Sequence, residues 1–201
     1  VTTNTDGSTT TVETKKDGTV TTTEKDKDGN TTTTVEKSDG TSTTTEKNKD
    51  GSEKVTEEKA DGTTVTTEKD ADGTKTVTTE NADGSTTTEE TKKDGTKVVT
   101  ETNPDGETTA EVSAKGETEV VIPVPDAEEV TKVVVTDKDG SVTEVEFEVK
   151  DGGIAISVPG NSTVSVHTFD IKARVTRTMK LPLEEDGYIP RIHFTSDPQK
   201  L

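Results

Sequence analysis

Apolar positions in the first 116 residues are too few and too scattered to mark the buried face of a helix or a sheet. What recurs is polar: runs of Thr, Glu and Lys cut by Asp-Gly at a fixed step. The glycines stand at Gly7, Gly18, Gly29, Gly40, Gly51, Gly62, Gly73, Gly84, Gly95 and Gly106, eleven residues apart each time, and Gly116 follows one residue early. In Asn103-Pro104-Asp105-Gly106, Pro sits where a type I turn needs φ near about −65°, and Gly where the chain goes left-handed. The same frame holds Asp26-Lys27-Asp28-Gly29, Asn48-Lys49-Asp50-Gly51, Asp70-Ala71-Asp72-Gly73 and Asn81-Ala82-Asp83-Gly84, each opened by Asp or Asn, whose side chain can bond the backbone. The pattern predicts three-residue hairpin loops closed by a glycine bulge. Eight residues remain for each strand, Thr19 to Asp26 for example, and β-branched Thr and Val suit a pleated surface.

Two architectures use such a period, an antiparallel single-layer meander and a β-solenoid. In a solenoid Glu13, Glu24, Glu46, Glu57 and Glu68 fall in nearly one ladder, like charges stacked at about 4.8 Å. In a meander each Glu lies opposite a residue near the start of the next strand, Thr21 across from Glu13 or Lys54 across from Glu46. Charge therefore favours the meander. Carrying that pairing through puts Val35, Val55, Val65, Val77 and Val99 on one face and Val12, Val20 and Val98 on the other, a sheet wet on both sides.

After Gly116 the alternation becomes apolar. Glu119–Val124, Val130–Thr136, Ser141–Lys150, Ile154–Val158 and Ser162–Phe169 read as five strands, the third with alternating Val142, Val145, Phe147 and Val149. Their turns are Asp137-Lys138-Asp139-Gly140, Asp151-Gly152-Gly153 and Pro159-Gly160-Asn161. The expected organisation is all-β: a repeat tract over 1–116, a small β-sandwich-like domain over 117–169, and a connector with an irregular tail over 170–201. Ile171 to Lys180 reads as one further strand, and Arg174, Arg177 and Arg191 make this end basic.

Composition narrows the function classes. The chain of 201 residues is 23% hydrophobic, 2% aromatic and 33% charged, with a formal net charge of −18. Chains this polar and this charged struggle to fold on burial alone. Acidity argues against nucleic acid and anionic membrane surfaces, which select for Lys/Arg patches. No cysteine is present, so disulfides and thiolate metal sites are excluded; the cell exterior and the cytosol both remain open. No apolar run approaches the roughly 20 residues of a membrane span. Val1 falls mid-repeat and no Met opens the chain, so it reads as an excerpt of something longer.

Candidate chemistry is thin. Asp26, Asp28, Asp70, Asp72, Asp137 and Asp139 sit in loops that resemble calcium loops. An EF-hand frame with Gly at its sixth position would place the chelating Glu at Val35 or Thr79, and neither can chelate. Weak calcium binding to an acidic surface is the most these residues imply, and no cofactor is expected. Thr ranks on a flat face suggest ice binding, but Glu, Lys and Val are expected to interrupt the ranks. Ser165, His167 and Asp170 lie close in sequence, and Ser165 and His167 share a strand face, but no nucleophile turn supports them. His193 stands alone.

Val120-Val-Ile-Pro-Val-Pro125, Val133-Val-Val-Thr-Asp-Lys-Asp-Gly140 and Gly153-Ile-Ala-Ile-Ser-Val-Pro-Gly160-Asn-Ser-Thr-Val164, behind Thr-rich Asp-Gly repeats, resemble the stalk and wall-proximal regions of large surface proteins of Gram-positive, often gut, bacteria. The turns are also similar to Rhs/YD-type repeats, without their Tyr. The resemblance covers about residues 1–166 and implies a non-enzymatic extracellular spacer with the cell wall or other surface-protein domains as partners. Open sheet edges add self-association into a fibre. The alternative is a binding module, an adhesin or an ice-binding Thr surface.

Overall fold

The computed structural model describes residues 1–125, 127–150 and 152–168. The end of the last expected strand, the Ile171–Lys180 strand and the basic tail lie outside these residues. The described chain is all-β with one short 3-10 turn, Ala127–Glu129. Strands β1 (Thr2–Thr3), β2 (Thr9–Thr14), β3 (Val20–Lys25), β4 (Thr31–Glu36), β5 (Ser42–Lys47) and β6 (Glu53–Glu58) follow one another through the repeats. β7 (Thr64–Lys69), β8 (Lys75–Glu80), β9 (Thr86–Thr91), β10 (Lys97–Thr102) and β11 (Thr108–Ser113) continue them. Beyond the repeats come β12 (Thr118–Pro123), β13 (Val130–Thr136), β14 (Val142–Val145), β15 (Glu148–Lys150), β16 (Gly153–Val158) and β17 (Ser162–Thr168).

β1 to β11 form an antiparallel meander, each strand paired to the next, and the sheet does not close. Glu13 pairs with Thr21 and Glu46 with Lys54, the register expected from the turns. The ladder takes six residues per repeat from β2 onward, not eight, because the outer two close the turn. In the second hairpin the Lys15 N–H donates to Thr19 O and the Gly18 N–H to Lys15 O, at 2.8 and 3.1 Å. The ten repeat glycines have φ between +85° and +98°, a conformation that costs a residue with a Cβ about 1–2 kcal/mol. That cost is why the Gly does not drift from its step.

Turn capping differs from expectation in one respect. Asp26 and Asn103 at the opening position do bond the backbone, as Asp137 does in its own turn: Asp26 Oδ1 accepts the N–H groups of Asp28, Gly29 and Asn30. Asn48 and Asn81 instead donate to the hydroxyls of Ser52 and Ser85. In those turns the third residue caps. Asp6, Asp17, Asp39, Asp50, Asp61, Asp72, Asp83 and Asp94 each accept the N–H of the residue after the glycine. The third residue's carboxylate there takes the N–H two residues on, and the Asn48 and Asn81 side chains bond a hydroxyl instead.

The tract does not end where composition changes. β11 pairs on its far edge with β17, which pairs with β13 and then β14, so a single sheet runs through all the repeats into the C-terminal segment. A second sheet, in the order β12-β16-β15, lies over one face of this end. The core between the two sheets holds Val98, Ala110 and Val112 from the repeats, Val133, Val135, Val164 and Val166 from the continuing sheet, and Val120, Ile122, Ile154, Ile156 and Val158 from the second. The boundary at Gly116 is therefore a corner rather than a break: β10 and β11 belong to the repeat by sequence and to the sandwich by packing. Thr96 is the first buried residue of the chain.

Ser141–Lys150, read as one strand, is two strands in different sheets. Val142 and Val145 are three residues apart, which breaks strand alternation, and the chain bends at Glu146-Phe147 to carry Phe147 against the core. Val142 and Val149 are left exposed. Gly153 starts β16 where a Cβ would stand 2.0 Å from the Ile122 carbonyl oxygen, so only Gly admits this strand against β12.

Candidate interaction faces

Side chains directly opposite in the ladder share a face, so the register assigns every strand residue of the tract to one side. One face, here face A, carries Val35, Val55, Val65, Val77 and Val99; the other, face B, carries Val12, Val20 and Val98. Successive strands alternate in which of their positions faces which way, so a face repeats only every 22 residues. Glu24, Glu46 and Glu68 thus share face B, and Lys25, Lys47 and Lys69 share face A.

The charges divide unevenly as a result. Across β2 to β9, face A holds four Glu (Glu13, Glu53, Glu57, Glu89) and four Lys (Lys25, Lys47, Lys69, Lys75), while face B holds seven Glu and only Lys54. The glutamates of face B alternate between its two flanks, Glu24 near one edge and Glu36 near the other. Lys54 meets Glu68 at 2.9 Å, and this carboxylate, with Glu46 beside it, raises the Lys54 pKa. Such exposed pairs add little stability each. The register spreads the charge so that no two glutamates of a face stand directly opposite each other within β2 to β9.

Between the flanks of face B runs an unbroken rank of threonines: Thr22, Thr34, Thr44, Thr56, Thr66, Thr78, Thr88 and Thr100, each the cross-strand partner of the next. Sequence reasoning expected the ranks to be interrupted. On face A the middle row is indeed broken by Val55, Val77, Glu89 and Val99, but on face B it is not. The rank was hidden because its members alternate between steps of ten and twelve residues. The first seven threonines are half-buried and face solvent; Thr100 is 3% exposed under the second sheet, and its Oγ1 has no hydrogen-bond partner among the described residues.

The aspartates read as calcium candidates do not converge. Asp26 is turned into its own turn, Oδ1 on three backbone N–H groups and Oδ2 on the Asn30 side-chain amide, and that amide first, with the N–H donors behind it, holds its carboxyl below the usual range. Asp28 and Asp139 point outward to their neighbours Lys27 and Lys138, at 3.3 and 2.9 Å. Asp72 accepts the Thr74 N–H, the main cause of its lowered pKa, and Asp137 is lowered first by the Ser141 N–H. Asp70 opens the turn that Asp72 caps. Among the described residues no group of three or more His, Cys, Asp or Glu side chains could hold a metal ion.

Ser165 and His167 share face A, paired to Val134 and Lys132 on an open sheet surface; Asp170 and His193 lie outside the described residues. Among the described residues the outer strands β1 and β14 of the long sheet, and β12 and β15 of the short one, have one unpaired edge each. No helix among the described residues is long and apolar enough to cross a membrane. Comparison with protein-family models, curated proteins and solved structures gave no match.

Proposed function

We propose that this chain is a non-enzymatic spacer, a stalk segment displayed outside the cell that holds another domain away from the cell wall. The observation that carries this reading is the absence of any buried residue in positions 1–95, all of them described, followed by a two-layer sandwich from β10 onward. Each strand of the single layer pairs only with the strands on either side, so length adds without a growing core, as in other repeat architectures. Ten strands span about 50 Å along the sheet, and the whole tract pulled straight would be several-fold longer. The cell wall or neighbouring domains of the same surface protein are the partners this role implies, and the open edges would permit lateral pairing of copies into a fibre.

Small-angle scattering on variants with two repeats added or removed tests the reading. Each pair of strands should change the maximum dimension by about 10 Å while sandwich unfolding stays unchanged. A dimension that does not follow repeat number would sink it.

The unbroken Thr rank on face B favours a second reading, a binding surface for ice or a glycan. Glutamates on both flanks of the rank weigh against ice. Ice recrystallisation inhibition, or retention on a glycan surface that is lost when Thr44, Thr56 and Thr66 become Lys, would favour binding over spacing.

A further inference from the structure

Thirteen Asp-Gly steps run through this chain, and among Asp-X steps Asp-Gly is the most open to spontaneous rearrangement, because Gly presents no Cβ to hinder attack on the preceding carboxyl. The glycine nitrogen attacks Asp Cγ, a C–N bond forms, and the carboxyl hydroxyl leaves as water with the amide proton. Water then opens the five-membered ring. Opening at the main-chain carbonyl leaves the backbone running through the former side chain, an isoaspartyl residue of unchanged mass with one extra main-chain carbon.

The turns present their aspartates to this reaction in two ways. In eight repeat turns the carboxylate before the glycine is tied down by the N–H two residues on, at 2.8–3.0 Å. The Ser or Thr hydroxyl adds a second bond at Asp6, Asp39, Asp50 and Asp83. In three turns that N–H is taken by the opening residue instead: Asp26 at Asn30, Asn103 at Glu107 and Asp137 at Ser141. Among the described residues Asp105 and Asp139 therefore accept no backbone N–H that would hold them away from the adjoining glycine, and Asp139 is bound to the neighbouring Lys138. Asp28 lacks such a bond too, but the Gly29 N–H that would attack it is itself held by Asp26 Oδ1 at 2.7 Å.

We infer that Asp105 and Asp139 are sites of spontaneous isoaspartate formation in the folded chain, while the eight capping aspartates are protected by their turns. The extra main-chain carbon cannot fit a three-residue loop, so each event opens one hairpin. At Asp105 that hairpin is β10–β11, which carries the repeat into the sandwich core.

The test is ageing of the full chain at neutral pH and 37 °C, with isoaspartate located by peptide mapping and fragmentation that distinguishes the two linkages. A parallel sample is aged in urea. The two sites should exceed the mean of the eight capped ones by about threefold to tenfold, the factor set by the one or two hydrogen bonds that must open first. In urea all ten should converge. Equal yields in the folded chain, a lead by any capped aspartate, or the same ranking in urea would overturn the inference, the last because the order would then follow neighbouring residues and not turn geometry.

Discussion

Thr100→Val should stabilise the protein, which is unusual for a change at a buried position. Thr100 is the last member of the face B rank, 3% exposed, with an Oγ1 that finds no partner among the described residues. A buried hydroxyl without a partner costs about 1–3 kcal/mol, and Val keeps the branched shape while placing a methyl where the hydroxyl was. Some of the gain is lost to imperfect fit, so about 1–2 kcal/mol is expected, read as a higher urea midpoint by far-ultraviolet circular dichroism. For a sandwich of under 100 residues this is a rise in Tm of roughly 5–10 °C. The control is Thr88→Val, the cross-strand neighbour of Thr100 on the uncovered stretch of the same rank, expected to change stability by less than about 0.5 kcal/mol. If Thr100→Val destabilises, or if both variants shift alike, the hydroxyl is not the strained group this reasoning takes it to be.

Three further outcomes follow from the fold. Ile154→Ala, at a fully buried position, should cost about 2–5 kcal/mol. Amide exchange in β2 to β9 should then accelerate too, because their only template is the sandwich edge at β10 and β11; unchanged exchange there would show that the tract folds by itself. Acid should loosen the hairpins. Asp17, Asp50, Asp61 and Asp94 are held below the usual carboxylate range first by the backbone N–H of Thr19, Ser52, Thr63 and Thr96, and Asp39 and Asp83 first by the hydroxyls of Thr41 and Ser85. A lowered folded pKa gives stability that is complete above the ordinary Asp value of about 3.9 and is lost as pH falls through the lowered values. Thermal melts from pH 6 to pH 2 should show this loss, and Asp→Asn at positions 17, 39, 61 and 94, which keeps the acceptor without the titration, should flatten it. Gly51→Ala meets no atom within 4 Å but holds φ at +91°, so it should cost about 1–2 kcal/mol, seen as faster exchange confined to β5, β6 and their neighbours.

The hairpins were legible because Asp-Gly fixes both the turn and its phase, and phase fixes every cross-strand pair. Glu13 opposite Thr21 needs no long-range information. The sandwich boundary does need it. Val98, Thr100 and Thr102 are spelled like the residues of any earlier repeat, and only β12 and β16 folding back over them makes them interior. Val142 and Val145 carried a local sign of the bend between β14 and β15, an odd spacing inside a supposed strand. The capping role of Asp50 over Asn48 turned on which of two side chains reaches one N–H, a matter of geometry that residue type does not decide.

The alternation of faces has a consequence for how such a tract can change its copy number. The DNA-level unit of duplication could be eleven codons, since each eleven residues make one complete hairpin step. Loss of a single unit, however, joins a strand to its second neighbour, gain inserts one more strand, and either inverts every position downstream: after a loss Val35, now opposite Thr43, would stand opposite Lys54. The acidic side upstream would continue as the lysine-bearing side downstream, and the second sheet would cover the opposite surface of the upstream strands. Slippage in steps of 22 residues preserves both. A population of natural length variants should therefore differ by even numbers of repeats wherever the sidedness of the tract matters, and by any number where only its length does.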